Sequence, residues 1–217
     1  MSQMIDFTVP STVPGRTLHA FRCVPEGEVK AVLQLSHGMV EFIDRYKPLA
    51  EYLAGRGILV TGHDHLGHGG SIRTKADYGY FAEPDGNRAV LADLHAMTVR
   101  TKELYPGVPY FLLGHSMGGL VMRSAAHYAQ ADGLAWPKRL RSIVFLGTPH
   151  HGAPLERAGN IVDVLLGSTP FTAPLARLGQ LRSAGITDLR FGCVVDEDWL
   201  GGNRFHRKPD SRRHVPL

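Results

Sequence analysis

Cysteine is nearly absent: Cys23 and Cys193 are the two thiols in 217 residues. Two so widely spaced cannot build a disulfide framework, and neither sits in a metal-type pair, so a reducing, cytoplasmic setting is expected. Long apolar runs are missing as well. No stretch approaches the roughly 18 residues needed to cross a bilayer, and residues 1–10 lack the basic and apolar regions of a secretory leader. Nor is there a large charge of one sign, because 24 basic residues face 20 acidic ones. The net charge of +4 therefore calls for no nucleic-acid partner. The basic cluster Arg204, Arg207, Lys208, Arg212 and Arg213 has only Phe205 interleaved and reads as a solvated tail.

What is present is an apolar fraction of 43%, with 25 glycines and 14 prolines spread along the chain, enough for one domain with a full core over 1–217. Residues 5–9 and 17–24 alternate apolar and polar positions around Pro14-Gly15, which predicts an antiparallel hairpin at a sheet edge. Residues 31–36 read as a buried strand, 45–56 as a helix and 58–60 as the next strand, a β-α-β unit. A second helix over 87–104 leads into a short apolar strand over 108–113, and residues 142–146 supply another strand. Alternating strands and helices predict an α/β fold: a mostly parallel sheet with helices on both faces and reactive groups at the carboxyl ends of the strands. Residues 36–39, 62–71, 116 and 147–152 all fall at such ends. Residues 153–190 are apolar and punctuated by proline, a composition that suits either a lid over a lipid-sized pocket or ordinary packing onto the sheet.

The most informative stretch is Gly114-His115-Ser116-Met117-Gly118, placed between that apolar strand and a helix-compatible run with Leu120, Val121, Met122, Ala125 and Ala126. A strand, a tight glycine-flanked turn and a helix are what an exposed, strained nucleophile requires, so Ser116 is the candidate nucleophile. His37-Gly38-Met39 ends its own strand, where backbone N–H groups can face a developing oxyanion. The Met39 and Met117 amides form the natural donor pair. His63-Asp64-His65-Leu66-Gly67-His68 has the residue types of a metal cluster, but its glycine and the lack of a second ligand group favour a loop at the site rim. No metal or cofactor is expected. A serine of this kind needs a histidine base oriented by a carboxylate, and the usual chain order puts both after the nucleophile. Asp196 with His214 satisfies that order although no apolar strand leads to it; His206, His150 and His151 are the other imidazoles to weigh.

Residues 17–119 closely resemble the monoacylglycerol lipase and lysophospholipase branch of the α/β-hydrolases. The resemblance is carried by His37-Gly38-Met39-Val40-Glu41 with Asp44-Arg45-Tyr46, by Asp64-His65-Leu66-Gly67-His68-Gly69, by Tyr105-Pro106-Gly107 and by Gly114-His115-Ser116-Met117-Gly118-Gly119. Phe42 departs from the histidine common at that place. From about residue 116 to 217 the chain is similar to another branch, lipase-like and akin to the GPI inositol-deacylases, through segments 145–154, 183–190 and 196–199. The resemblance implies hydrolysis of carboxylic esters, of acylglycerol or lysophospholipid type, on a fold whose last strands, acid and base lie past Leu217. It also implies a junction of two branches at a shared elbow. The competing expectation is a catalytically incomplete fragment or lipid-binding module without a working triad.

Overall fold

In the computed structural model, residues 2–83, 85–139 and 143–148 are described. The chain divides into two units, Met1–Thr148 and Pro149–Leu217, and all the described residues belong to the first. The expected lid at 153–190 and the pair Asp196 and His214 lie outside the described residues, as do His150, His151 and His206.

Strands β1 (Gln3–Pro10) and β2 (Thr17–Val24) form the expected antiparallel hairpin, β1 being the edge strand. β2 continues antiparallel onto β4 (Ile58–His63), after which β4, β3 (Ala31–Ser36), β5 (Tyr110–His115) and β6 (Phe145–Leu146) run parallel. The resulting order is β1-β2-β4-β3-β5-β6. The β3 and β4 strands are almost wholly buried, as strands covered on both faces must be. Helices α1 (Lys47–Ala54), α2 (Gly86–Leu104) and α3 (Met117–Ala131) make the crossovers. This is the mostly parallel α/β sheet anticipated from the alternation of elements.

Among the described residues the strand expected over 142–146 is seen at Phe145–Leu146 and that expected over 58–60 runs to His63, and two further boundaries differ from the sequence reading for local reasons. The helix expected over 45–56 begins as a 3₁₀ turn, Ile43–Tyr46, and becomes α-helical at Lys47, with Pro48 in its first turn where a missing N–H costs nothing. The strand expected from 108 starts two residues later. Pro109 can accept the Val32 N–H (2.9 Å) but has no N–H to give to the ladder, so pairing begins at Tyr110.

One core cluster joins Phe21, Cys23, Leu35 and Val60 from the sheet to Ile43, Ala50 and Ala54 on the 3₁₀ turn and α1. Full burial of a side chain such as Phe21 or Leu35 stabilises by about 2 kcal/mol. A polar bolt holds the other face. Gln34, fully buried in β3, donates to the Leu94 carbonyl (3.0 Å) and accepts from Thr98 Oγ1 (2.7 Å) and the Tyr110 hydroxyl, fixing α2 against two neighbouring strands. Burial pushes the Tyr110 hydroxyl up to about 12, so it stays protonated and able to donate.

Candidate active site

Ser116 ends the turn between β5 and α3 with φ +52° and ψ −120°, and it is the one non-glycine residue with positive φ among the described residues. Such a backbone costs on the order of 1–3 kcal/mol and must be held by its surroundings. The holding contacts are local. The Ser116 N–H donates to the Leu146 carbonyl on β6 (2.8 Å), and the Ser116 carbonyl accepts the Gly119 N–H (3.1 Å). The flanking glycines are required by space. A Cβ on Gly114 would stand 2.5 Å from Met122 Sδ and 2.7 Å from the Gly118 backbone. One on Gly118 would overlap the Ser36 carbonyl oxygen and stand 2.9 Å from that of His37. Since both obstacles are backbone, Gly118→Ala is expected to destabilise the protein by about 3 kcal/mol, read as a fall in the urea midpoint at unchanged slope.

The turn after β3 lies against this elbow: a Cβ built on Gly38 would be 3.0 Å from Ser116 Cβ. His37, completely buried, shapes the turn from below. Its Nδ1–H donates to the Gly38 carbonyl (2.7 Å) and its Nε2 accepts the His65 N–H (3.0 Å), which fixes the neutral tautomer. Burial lowers the His37 pKa to about 3, so its 3.8 Å approach to Asp64 is not an ion pair. The amides of Met39 and Met117 belong to the two segments that meet at this point. Met117 is the first residue of α3, where the helix dipole adds positive potential.

The His63-to-His68 loop leaves the same end of the sheet but is buried rather than open. His65 Nε2 and Ser36 Oγ share a hydrogen bond (3.1 Å), and His65 packs against His37 at 4.4 Å between ring centroids. Burial depresses the His63 pKa to about 4 and that of His65 well below the ordinary value. Asp64 accepts the Ile43 N–H (2.5 Å) and the Gly70 N–H (2.7 Å), tying this loop to the 3₁₀ turn; burial raises its pKa. A different trio, Asp6, His19 and Asp44, has ligand atoms near enough to share a cation. The Lys47 ammonium already bridges its two carboxylates at 2.8 and 3.3 Å.

Two polar residues at the site escaped the sequence reading. Glu41 folds back over the 37–39 turn and meets His115, the residue before the nucleophile, at 2.8 Å. The pair is 74 positions apart in sequence, so only the adjacency of β3 and β5 reveals it.

Residues 27–181 match the family described as serine aminopeptidase, S33. A monoglyceride lipase homolog of Monkeypox virus is 43% identical over 100 residues, 45% of this chain and 33% of that protein. Human monoglyceride lipase is 39% identical over 104 residues, 45% of this chain and 30% of that protein. The chain thus spans about a third of the length of these curated relatives in the matched region. Among solved structures, a thermostable carboxyl esterase from Bacillus coagulans superposes with a TM-score of 0.58 at 23% identity, covering 76% of this chain and 51% of that one. A soluble variant of monoglyceride lipase from Saccharomyces cerevisiae does so with a TM-score of 0.57 at 19% identity, covering 77% and 52%. The two monoglyceride lipase relatives agree with the lipase-branch resemblance of residues 17–119, and the solved structures agree with the fold. The likeness of 116–217 to a second branch falls mostly outside the described residues.

Proposed function

The chain belongs to the serine aminopeptidase S33 family of α/β-hydrolases, and from that footing we propose that it is a serine hydrolase of carboxylic esters. Ser116 attacks the ester carbonyl carbon, its proton passing to a histidine; the carbonyl oxygen becomes an oxyanion between the Met39 and Met117 amides. The alcohol then leaves with the proton returned from that histidine, and water releases the acyl group from Ser116 by the same route. The observation that carries this reading is the strained Ser116 turn, held by the Leu146 carbonyl and pressed against the turn that follows β3. Acylglycerols or lysophospholipid-like esters are the proposed substrates, as the lipase relatives suggest. Chain order offers Asp196 and His214 as acid and base. No helix among the described residues is long and apolar enough to cross a membrane, which suits a cytoplasmic enzyme meeting its lipid substrate from water.

Incubating the folded protein with a fluorophosphonate and sequencing the peptides by mass spectrometry is expected to place one adduct on Ser116. An unmodified Ser116 in folded protein would overturn the enzyme reading in favour of a lipid-binding module without a working triad. Where labelling occurs, alanine substitution of His214, His206, His150 and His151 in turn is expected to slow it when the base is removed.

A further inference from the structure

We propose that Glu41 is a positioning residue that locks the oxyanion turn to the nucleophile elbow through His115. The proposal rests on Ser116 as nucleophile and adds what sets the distance between the two oxyanion donors. Those donors sit past the ends of different strands: the register pairs Ser36 with Gly114, and beyond it each segment runs on as irregular turn or helix start. No backbone ladder among the described residues ties Met39 to Met117, which leaves their spacing to the close packing of the two turns and to side-chain bonds between them.

Glu41 is placed to make such bonds. Its Oε2 accepts the Gly38 N–H (2.8 Å), the His115 Nδ1–H (2.8 Å) and the Tyr46 hydroxyl (2.9 Å), collecting donors from three segments on one atom. Oε1 lies 3.5 Å from the exposed Arg45 guanidinium. The Glu41 side chain is only 13% exposed against 40% for His115, so the carboxylate end of the pair is the one shielded from water. Burial pushes the carboxyl up, yet the Gly38 amide, His115 and Tyr46 together hold it below the usual carboxylate range, and it stays ionised at neutral pH. Committing the Gly38 amide to Glu41 also removes it as an oxyanion donor, which singles out Met39. A glutamine would keep the size but replace one acceptor oxygen by a donor and lose the charge that holds three donors at once.

The test is Glu41→Gln, with His115→Ala and the double variant, assayed on a short-chain p-nitrophenyl ester. We expect kcat to fall about ten-fold in Glu41→Gln with KM within about two-fold, and affinity for a phenylboronic acid, which forms a tetrahedral anion on the serine, to fall in parallel. The double variant is expected to be no slower than Glu41→Gln alone, because the two residues act as one unit. Unchanged kcat and boronate affinity, or losses that simply add, would overturn the proposal. Amide exchange gives a readout free of turnover: protection of Gly38 and of the segment around Ser116 is expected to drop together in Glu41→Gln. If the native protein proves inert to fluorophosphonate, the hydrolase reading falls, and exchange still decides this one, unchanged protection at either segment counting against it.

Discussion

Replacing Ser116 by glycine is expected to abolish ester turnover and at the same time make the protein more stable. Loss of the attacking oxygen leaves only binding and the oxyanion donors, so turnover should drop by about 10⁴-fold or more, and Ser116→Ala should match it. The stability half of the prediction comes from the backbone. At φ +52° and ψ −120° a Cβ is strained, by on the order of 1–3 kcal/mol, whereas glycine occupies the mirror image of the extended region freely. Against that gain stands the extra freedom of glycine in the unfolded chain, about 0.5–1 kcal/mol. The net expectation is a gain of about 1 kcal/mol for Ser116→Gly and little change for Ser116→Ala, which keeps the Cβ. Urea midpoints of the three proteins, measured beside turnover, separate the terms. A glycine variant less stable than the native protein would mean that the elbow stores no strain and that the conformation serves packing instead.

That trade between strain and activity is also why the elbow could be read from the sequence. Gly114 and Gly118 are demanded by contacts made within a few residues of the turn or with the neighbouring strand end, and an apolar strand ahead of them suffices to announce the geometry. The buried parallel strands were legible for the same reason, since runs such as Ala31–Ser36 and Ile58–His63 are apolar enough to be buried on both faces, whereas their order in the sheet came only with the structure. What pattern could not supply was anything made by polar residues meeting across the fold. Gln34, in the middle of a central strand, reads as an interruption until α2 and Tyr110 are seen to engage both its amide nitrogen and its amide oxygen. Glu41 and His115 read as polar loop residues until β3 and β5 are placed side by side. The histidines at 63, 65 and 68 read as a loop at the site rim, but neutral imidazole packs like a small aromatic and all three are buried. In the folded protein the His65 ring meets those of His63 and His68 edge-on, and His68 stacks on Phe81 with 5.7 Å between ring centroids.

The buried imidazoles of His37, His63 and His65 are expected to make the protein acid-sensitive well above the pH at which carboxylates titrate. His37 is held at about 3, His63 at about 4 and His65 well below the ordinary value, in each case chiefly by burial, while all three titrate near 6.5 in the unfolded chain. Above 6.5 neither state binds these protons, and the stability they permit is fully present. As pH falls below 6.5 the unfolded chain takes up protons that the folded protein refuses, down to about 4 for His63 and about 3 for His37. Each histidine therefore costs up to about 1.4 kcal/mol per pH unit in that window, so three cost about 5 kcal/mol between pH 6.5 and pH 5. Asp64 works the other way, its raised pKa favouring the folded state as it takes up a proton, and offsets part of the loss at the acid end. Against a typical stability of about 5–15 kcal/mol the expected result is unfolding near pH 5 under urea concentrations harmless at pH 8. His63 tests the cause, since neither of its ring nitrogens has a hydrogen-bond partner among the described residues. His63→Leu keeps an apolar filling and removes one titrating group, so it should cut the pH 8 to pH 5 drop in stability by about a third. An equal drop in both proteins would show that the acid response arises elsewhere.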